Sequence, residues 1–386
     1  MSNDAFLQLR TALNTTTETT GGDTRTGVGA VFINKEIDKM IRDTGNRTTD
    51  LRQLVQRKTI MQEAKIFSLK TSLGSTSKTT VYSEGGTGVP YPNQYLQCVV
   101  PTISYRSDYE VTGKVIASSS SYFDALATEA KDAVLSHLLT EEQMFIFGDD
   151  TTAETGRLTL NGTVGVSGSF KGLYQLLRSA VTPVSGITGG FADTTSVYGH
   201  VKSATITDRQ YALNCKTVCT SDSASNPLSI PNMNAAISAS EIAAGKGGNR
   251  IFLCSVLRMD AISDLIAPQG RYVQGASSVE LDGGQRVLAW RGYKIISSRF
   301  MTNYSVVSTN GTSCIFTPST DNCVLFLNLD NIEFDNVAGV DMKHRAYLGA
   351  DASQRSDVEG GAFFTYGALV MTKFNDQVVI WNLSAP

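Results

Sequence analysis

The sequence predicts a mixed α+β fold, and three patterns carry the prediction. Apolar residues recur at helical spacing from Ser121 to Phe147, about seven turns at 3.6 residues per turn. Between Ile66 and Val115, β-branched and aromatic residues alternate with polar ones on both sides of a Gly- and Pro-rich stretch, Glu84 to Pro92, as in a long two-stranded excursion. Short apolar runs separated by turn residues then fill the chain from Val287 to Trp381. Composition agrees: of 386 residues, 41% are hydrophobic and 18% charged, which excludes a disordered, collagenous or coiled-coil chain. The length allows two or three units. The 33 basic and 36 acidic residues leave a net charge of −3, and no block of five like charges marks a nucleic-acid binder.

Taken in order, residues 1–34 form a polar arm, with 8 threonines among the 16 residues from Thr11 to Thr26, too poor in apolar residues to bury a face of its own. From 35 to 65, Ile37, Met40, Ile41, Leu51, Leu54, Val55, Lys58 and Met61 fall at three- and four-residue spacing, which predicts helical segments broken at Gly45. From Lys35 to Lys70 there are nine basic and five acidic residues, net +4. In the hairpin, 66–116, the return arm is the clearer: Ile103, Tyr105, Ser107, Tyr109 and Val111 share one face, and Ser104, Arg106, Asp108, Glu110 and Thr112 the other. Such a ribbon is marginal alone, so its apolar face must be covered by the same subunit or a neighbour.

The long helix opens at Ser121, which forms a capping box with Asp124, and closes at Gly148 in a left-handed position. At 1.5 Å per residue it spans about 40 Å. Its five acidic residues and one lysine give net −4, opposite in sign to the 35–70 segment, so the two are expected to lie against each other. Beyond Asp150 the pattern predicts a helix from Phe170 to Ala180, a second from Asn234 to Gly245, a buried strand from Arg250 to Ser255 and a helix from Val256 closed by Pro268. Strands follow at Val287–Ile296, Val306–Phe316, Cys323–Leu327, Ile332–Phe334, Phe363–Met371 and Gln377–Trp381.

The chemical inventory is sparse. The longest apolar run, Cys323 to Leu327, is far short of a membrane span, and the N-terminus turns polar at once, so the sequence predicts a chain made in a cytoplasm. Its six scattered cysteines are then expected as buried free thiols. Among three histidines, His137 lies on the apolar helix face and is expected to bond a backbone carbonyl, while His200 and His344 have no nucleophile elbow beside them. Cys215 and Cys219 lack a second ligand pair for zinc. The loops Ala244–Asn249 and Gly86–Pro90 miss the Walker and dinucleotide patterns and are turns. Asp149, Asp150 and Glu154 form an exposed acidic loop. Neither a catalytic residue, nor a cofactor, nor a metal site is expected, and a structural role is, because an arm, a long ribbon and a capped helix all suit contact between subunits.

In that order of parts, the chain resembles, over nearly its whole length, the major capsid proteins of tailed bacteriophages with the Hong Kong 97 fold. The stretch from Ser121 to His137, ending at Phe147 and Gly148, is similar to the family's spine helices, and Phe364 to Leu383 is similar to its C-terminal strands. The resemblance implies a flexible arm at 1–34, a helical segment at 35–65, an extended hairpin or E-loop at 66–116, a peripheral P-domain with the spine helix at 117–182, an axial A-domain at 183–320, and P-domain strands returning at 321–386. It further implies hexamers and pentamers closing an icosahedral shell around double-stranded DNA, in a virion assembled in the host cytoplasm. The implied partners are further copies of the chain, a separate scaffolding protein, a portal, a decoration protein and non-specific contact with DNA; no membrane is involved. Lys70, Lys78, Glu84, Tyr91, Arg106, Asp108 and Glu110 are the expected inter-subunit residues, Lys70 or Lys78 being the candidate for a covalent lysine-to-asparagine cross-link. The alternatives are another virion component, such as a decoration or tail-tube protein, and an enzyme whose site has no recognisable motif. Cargo-enclosing compartments share the fold, usually with shorter subunits.

Overall fold

The computed structural model describes residues 49–72, 93–119, 124–150, 159–160, 166–167, 169–177, 179–180, 196–218, 227–270, 278–280, 286–301, 306–307, 313–314, 323–347, 358–380 and 383. The chain runs β1 (Gln56–Ile60), β2 (Ala64–Ser72), β3 (Gln94–Pro101), β4 (Ile103–Thr112), α1 (Gly113–Ser119), α2 (Ala125–Phe147) and a short α3 (Leu173–Leu176). It continues through β5 (Lys216–Val218), α4 (Ile230–Ala244), β6 (Arg250–Cys254), α5 (Val256–Gly270), β7 (Ser278–Glu280), β8 (Arg286–Trp290) and β9 (Tyr293–Ser297). It ends with β10 (Val324–Asn328), β11 (Ile332–Val337), β12 (Lys343–Tyr347), β13 (Val358–Met371) and β14 (Val378–Ile380). Contacts divide it into two units, the smaller comprising, among the described residues, parts of 106–137 and 342–364, the larger the rest.

Strand alternation builds the larger unit. Its seven-stranded sheet has the order β5-β14-β10-β6-β9-β8-β7, with β5 parallel to β14, β6 parallel to β9, and the other neighbours antiparallel. Every residue of β6, β10 and β14 except Asn328 at the end of β10 is apolar or, like Arg250, buried at the strand start, as expected for strands covered on both faces. Ile251, Leu253, Leu325, Leu327 and Val379 enter one core, with Met144 to Phe147 at the end of α2, Leu173 and Leu176 of α3, and Phe334 of β11. Phe252, Cys254, Val324, Phe326, Val378 and Ile380 enter the other, against Met233, Ala236 and Ile237 of α4 and Ile262 and Ile266 of α5. The β8–β9 hairpin turns on Arg291 (φ 52°) and Gly292 (φ 86°), the two positive dihedrals of a type I′ turn.

Within the same unit, β1 pairs parallel with β11, whose other edge pairs antiparallel with the C-terminal half of β13. In the smaller unit the N-terminal half of β13 pairs antiparallel with β12 and lies beside β4. There the Tyr109 ring stacks on His344 (6.0 Å) and Phe363 (5.9 Å), and the His344 and Phe363 rings meet tilted at 4.9 Å.

Several expectations change. The 35–65 segment is not helical where it is described: Leu51 to Val55 makes one turn and Gln56–Ile60 is a strand, because β11 offers a ladder that overrides local periodicity; residues 35–48 lie outside the described residues. The ribbon is β2 with β3, not β2 with Ile103–Thr112, and β4 leaves after Pro101 to join β13. The predicted alternation along β4 is present, with Tyr105 and Val111 buried and Arg106, Asp108 and Glu110 exposed. Ser121 lies outside the described residues, and the Asp124 carboxylate itself accepts the Ala127 amide (3.0 Å). Gly148 is required by proximity rather than handedness: an added Cβ would meet the carbonyl oxygens of Phe170 and Met144, and the Gly172 amide bonds the Gly148 carbonyl at 2.9 Å. The predicted Phe170–Ala180 helix is the single turn α3, and α5 continues past Pro268, which removes only one amide from its last turn.

Candidate assembly surface

The β2–β3 ribbon has one face on the core and one in solvent. Leu96, Cys98 and Val100 are buried, with Phe67 and Leu69 packed beside them and the Phe67 ring edge-on to Tyr198 at 5.8 Å. The outer edge of β3 is tied down by the Val99 amide to the Tyr198 carbonyl (3.4 Å) and by His200 Nε2 donating to the Gln97 carbonyl (2.6 Å). On the outer face the register sets Ile66 against Val99, Ser68 against Gln97 and Lys70 against Tyr95. Ile66 is 54% exposed, Val99 42% and Tyr95 53%, with Met61 at the preceding bend 87% exposed. Covering side chains of this size contributes about 1 kcal/mol or more each, so the face is a candidate for contact with another surface.

The sequence-predicted contact residues divide. Lys70 is exposed on β2 in the larger unit. Arg106, Asp108 and Glu110 share the exposed face of β4 in the smaller unit, where Arg106 Nε lies 3.2 Å from Asp108 Oδ2. Lys78, Glu84 and Tyr91 lie outside the described residues. An open cavity of about 440 Å³, lined by Asp208, Tyr211, Lys216 and the exposed Ile206 and Ile242, has a mixed lining. Asp208 there accepts from the Ser203 hydroxyl at 2.5 Å.

What the sequence only hinted at is a buried charge network inside the larger unit. Glu141 and Glu142 of α2 are both fully buried. Glu142 Oε1 accepts the Asp50 (2.9 Å) and Leu51 (3.2 Å) amides. Glu141 pairs with Arg52 (3.0 Å) and Arg57 and accepts the Tyr105 hydroxyl (2.9 Å). Arg57 also pairs with Asp341 (2.8 Å) and lies over the Phe334 ring at 4.9 Å. Lys58 and Lys65 pair with Glu333, and Lys65 Nζ lies 2.8 Å from Asp335 Oδ2, an attraction of charge, since neither Asp335 oxygen accepts an aligned hydrogen bond. Burial pushes the Glu142 carboxyl up, an effect opposed by its backbone donors, and pushes the Arg52 guanidinium down. The expected meeting of the +4 and −4 segments thus occurs within one subunit. The available signal was Glu141 interrupting the apolar stripe His137, Glu141, Phe145 at four-residue spacing.

Several other titratable groups are buried or have structural partners. Cys98, Cys215, Cys254 and Cys323 are buried thiols outside any disulfide; burial pushes Cys98 and Cys215 up to about 11 and Cys254 to about 12, so those three are not thiolates at neutral pH. His137 is buried as expected, but its Nδ1 meets the Ser107 hydroxyl (3.0 Å) rather than a backbone carbonyl. His344 Nε2 meets the Tyr109 hydroxyl (2.7 Å), and Asp150 pairs with Lys171 (2.6 Å). Among the described residues no group of three His, Cys, Asp or Glu side chains is placed to hold a metal ion, and no helix is long and apolar enough to cross a membrane.

No protein-family model and no curated protein sequence matches the chain. Solved structures do. The capsid asymmetric unit of cyanophage A-1(L) superposes with a TM-score of 0.59 at 15% identity, covering 93% of this chain and 99% of that one. The capsid of a native GTA particle gives a TM-score of 0.56 at 11% identity, covering 93% and 97%. The holo-SrpI encapsulin of Synechococcus elongatus PCC 7942 gives 0.50 at 10% identity, covering 89% and 93%. The chain has the fold of phage capsid proteins, the Hong Kong 97-type α+β fold that the resemblance implied. These neighbours are structural proteins of shells rather than enzymes.

Proposed function

We propose that the chain is a major capsid protein whose copies assemble as hexamers and pentamers into an icosahedral virion shell around double-stranded DNA, built in the host cytoplasm. One observation carries the reading: the likeness to capsid subunits runs the length of both chains, 93% of this one and 97–99% of those. In this reading α2 is the spine helix and the β2–β3 ribbon is the root of the E-loop. The seven-stranded sheet with α4 and α5 is the axial domain, and β1, β4, β11, β12 and β13 belong to the peripheral one. The exposed pair Ile66 and Val99, with Tyr95 and Met61, suits a surface that a neighbouring subunit covers. A separate scaffolding protein, a portal and a decoration protein are the expected further partners, and contact with DNA is weak and non-specific.

The test is to express the full chain alone and examine it by electron microscopy and light scattering. Closed shells, tubes or five- and sixfold capsomers are expected. A monodisperse monomer that stays monomeric with candidate scaffolding present would sink the reading. The encapsulin likeness favours one second reading, a cargo compartment. Particles recovered from the native host decide between them: packaged DNA supports the virion shell, enclosed protein the compartment.

A further inference from the structure

The charge network described above is asymmetric in the chain. Its cations, Arg52, Arg57, Lys58 and Lys65, come from residues 52–65, whereas its anions, Glu141, Glu142, Glu333, Asp335 and Asp341, belong to α2, β11 and the loop after it. Among the described residues, the buried apolar side chains of residues 50–60 are Leu51 and Val55, with Leu54 partly buried against the same core; β1 lies at the edge of its sheet, and the strand itself is exposed or half-buried throughout. Its one ladder among the described residues is parallel, the slightly weaker kind. An ion pair gains little net stability because both partners recover hydration on separation, whereas an apolar strand recovers nothing.

We propose that residues 50–60 form a strap that opens as one unit while the rest of the larger unit stays folded, with the carboxylates of Glu141, Glu142, Glu333 and Asp341 as its catch. Opening frees the point at which residues 1–48 join the unit and loosens the ribbon root, because Lys65 shares Glu333 with Lys58. The arm and the ribbon, two elements that meet neighbours in a shell, would then be released together. That consequence rests on the capsid reading; the opening does not.

Hydrogen exchange read by mass spectrometry on the unassembled full chain, at about 0.05 M and about 1 M salt, tests the strap. Amides of residues 50–60 should exchange at least about tenfold faster than those of β6, and faster again in high salt, which screens the open strap from its catch. Glu141→Gln should accelerate the same segment and leave β6 unchanged. Equal rates in the strap and β6 would overturn the proposal, as would fast strap exchange indifferent to both salt and Glu141→Gln. The wild-type salt series stands even if the variant does not fold. A strap that behaves as expected in a chain that never forms particles would remove the capsid reading and keep the device.

Discussion

The two strands β6 and β1 each sit beside a parallel neighbour, yet they are held by opposite means. β6 is buried along its length between two apolar cores, with the Phe252 and Phe326 rings tilted against each other at 4.4 Å between centroids. β1 is held at its edge by Arg57 and Lys58 reaching to the buried carboxylates of Glu141 and Glu333. The first arrangement is insensitive to salt and pH and breaks only when the core breaks. The second stores its stability in pairs whose members are each costly to bury alone, so losing one partner leaves the other stranded.

The largest effect should come from the apolar side of this contrast. Phe326→Ala removes a ring from the middle of the second core and should cost about 3–5 kcal/mol, read as a lower denaturant midpoint for the larger unit. Glu141→Ala should cost about 3 kcal/mol, the low end for a broken buried pair because both guanidiniums keep some contact with water, and local exchange in residues 50–60 should rise with it. A Glu141→Ala chain that melts like wild type would make the network ornamental. Gly148→Ala should cost about 1–3 kcal/mol, since the methyl meets the Phe170 and Met144 carbonyls and the backbone must shift. The smallest effect is one of pH. Burial raises the Glu142 carboxyl, so the folded chain holds that proton more tightly than the unfolded chain; the stability from this group is full below the unfolded pKa and lost as pH rises through the folded one. Wild type should therefore gain on Glu142→Gln as pH falls from about 7 to about 4, measured by denaturant titration at each pH; a gap moving the other way would contradict the assignment.

How far the sequence could be read follows the same division. The apolar strands β6, β10, β13 and β14 and the helices α2, α4 and α5 were legible because a buried element announces itself by its period and its turn residues. The turn after α4 was legible too, with Gly245 at φ 80°. β1 was not: Leu51, Leu54, Val55 and Lys58 have helical spacing, and nothing local tells that Glu333, far along the chain, will pair with its Lys58, or that Asp335 will lie beside Lys65 of β2. The ribbon's partner was misassigned for a related reason, since alternation identifies a strand and its wet face but not the strand beside it. Gly148 was recognised as special and given the wrong reason, because close approach to Phe170 depends on tertiary packing. Of the candidate contact residues, Arg106, Asp108 and Glu110 were correctly placed on an exposed face, whereas the exposed apolar pair Ile66 and Val99 went unremarked, cross-strand register being invisible before the ladder is known.

The central claim is that the outer face of the ribbon joins subunits into a shell. The most direct measurement compares wild type with Ile66→Ser, Val99→Ser by electron microscopy and by thermal melting of the unassembled chain. Both side chains are exposed, so the account predicts an unchanged melt and the loss of particles that wild type forms. Particles formed equally well by both would contradict it.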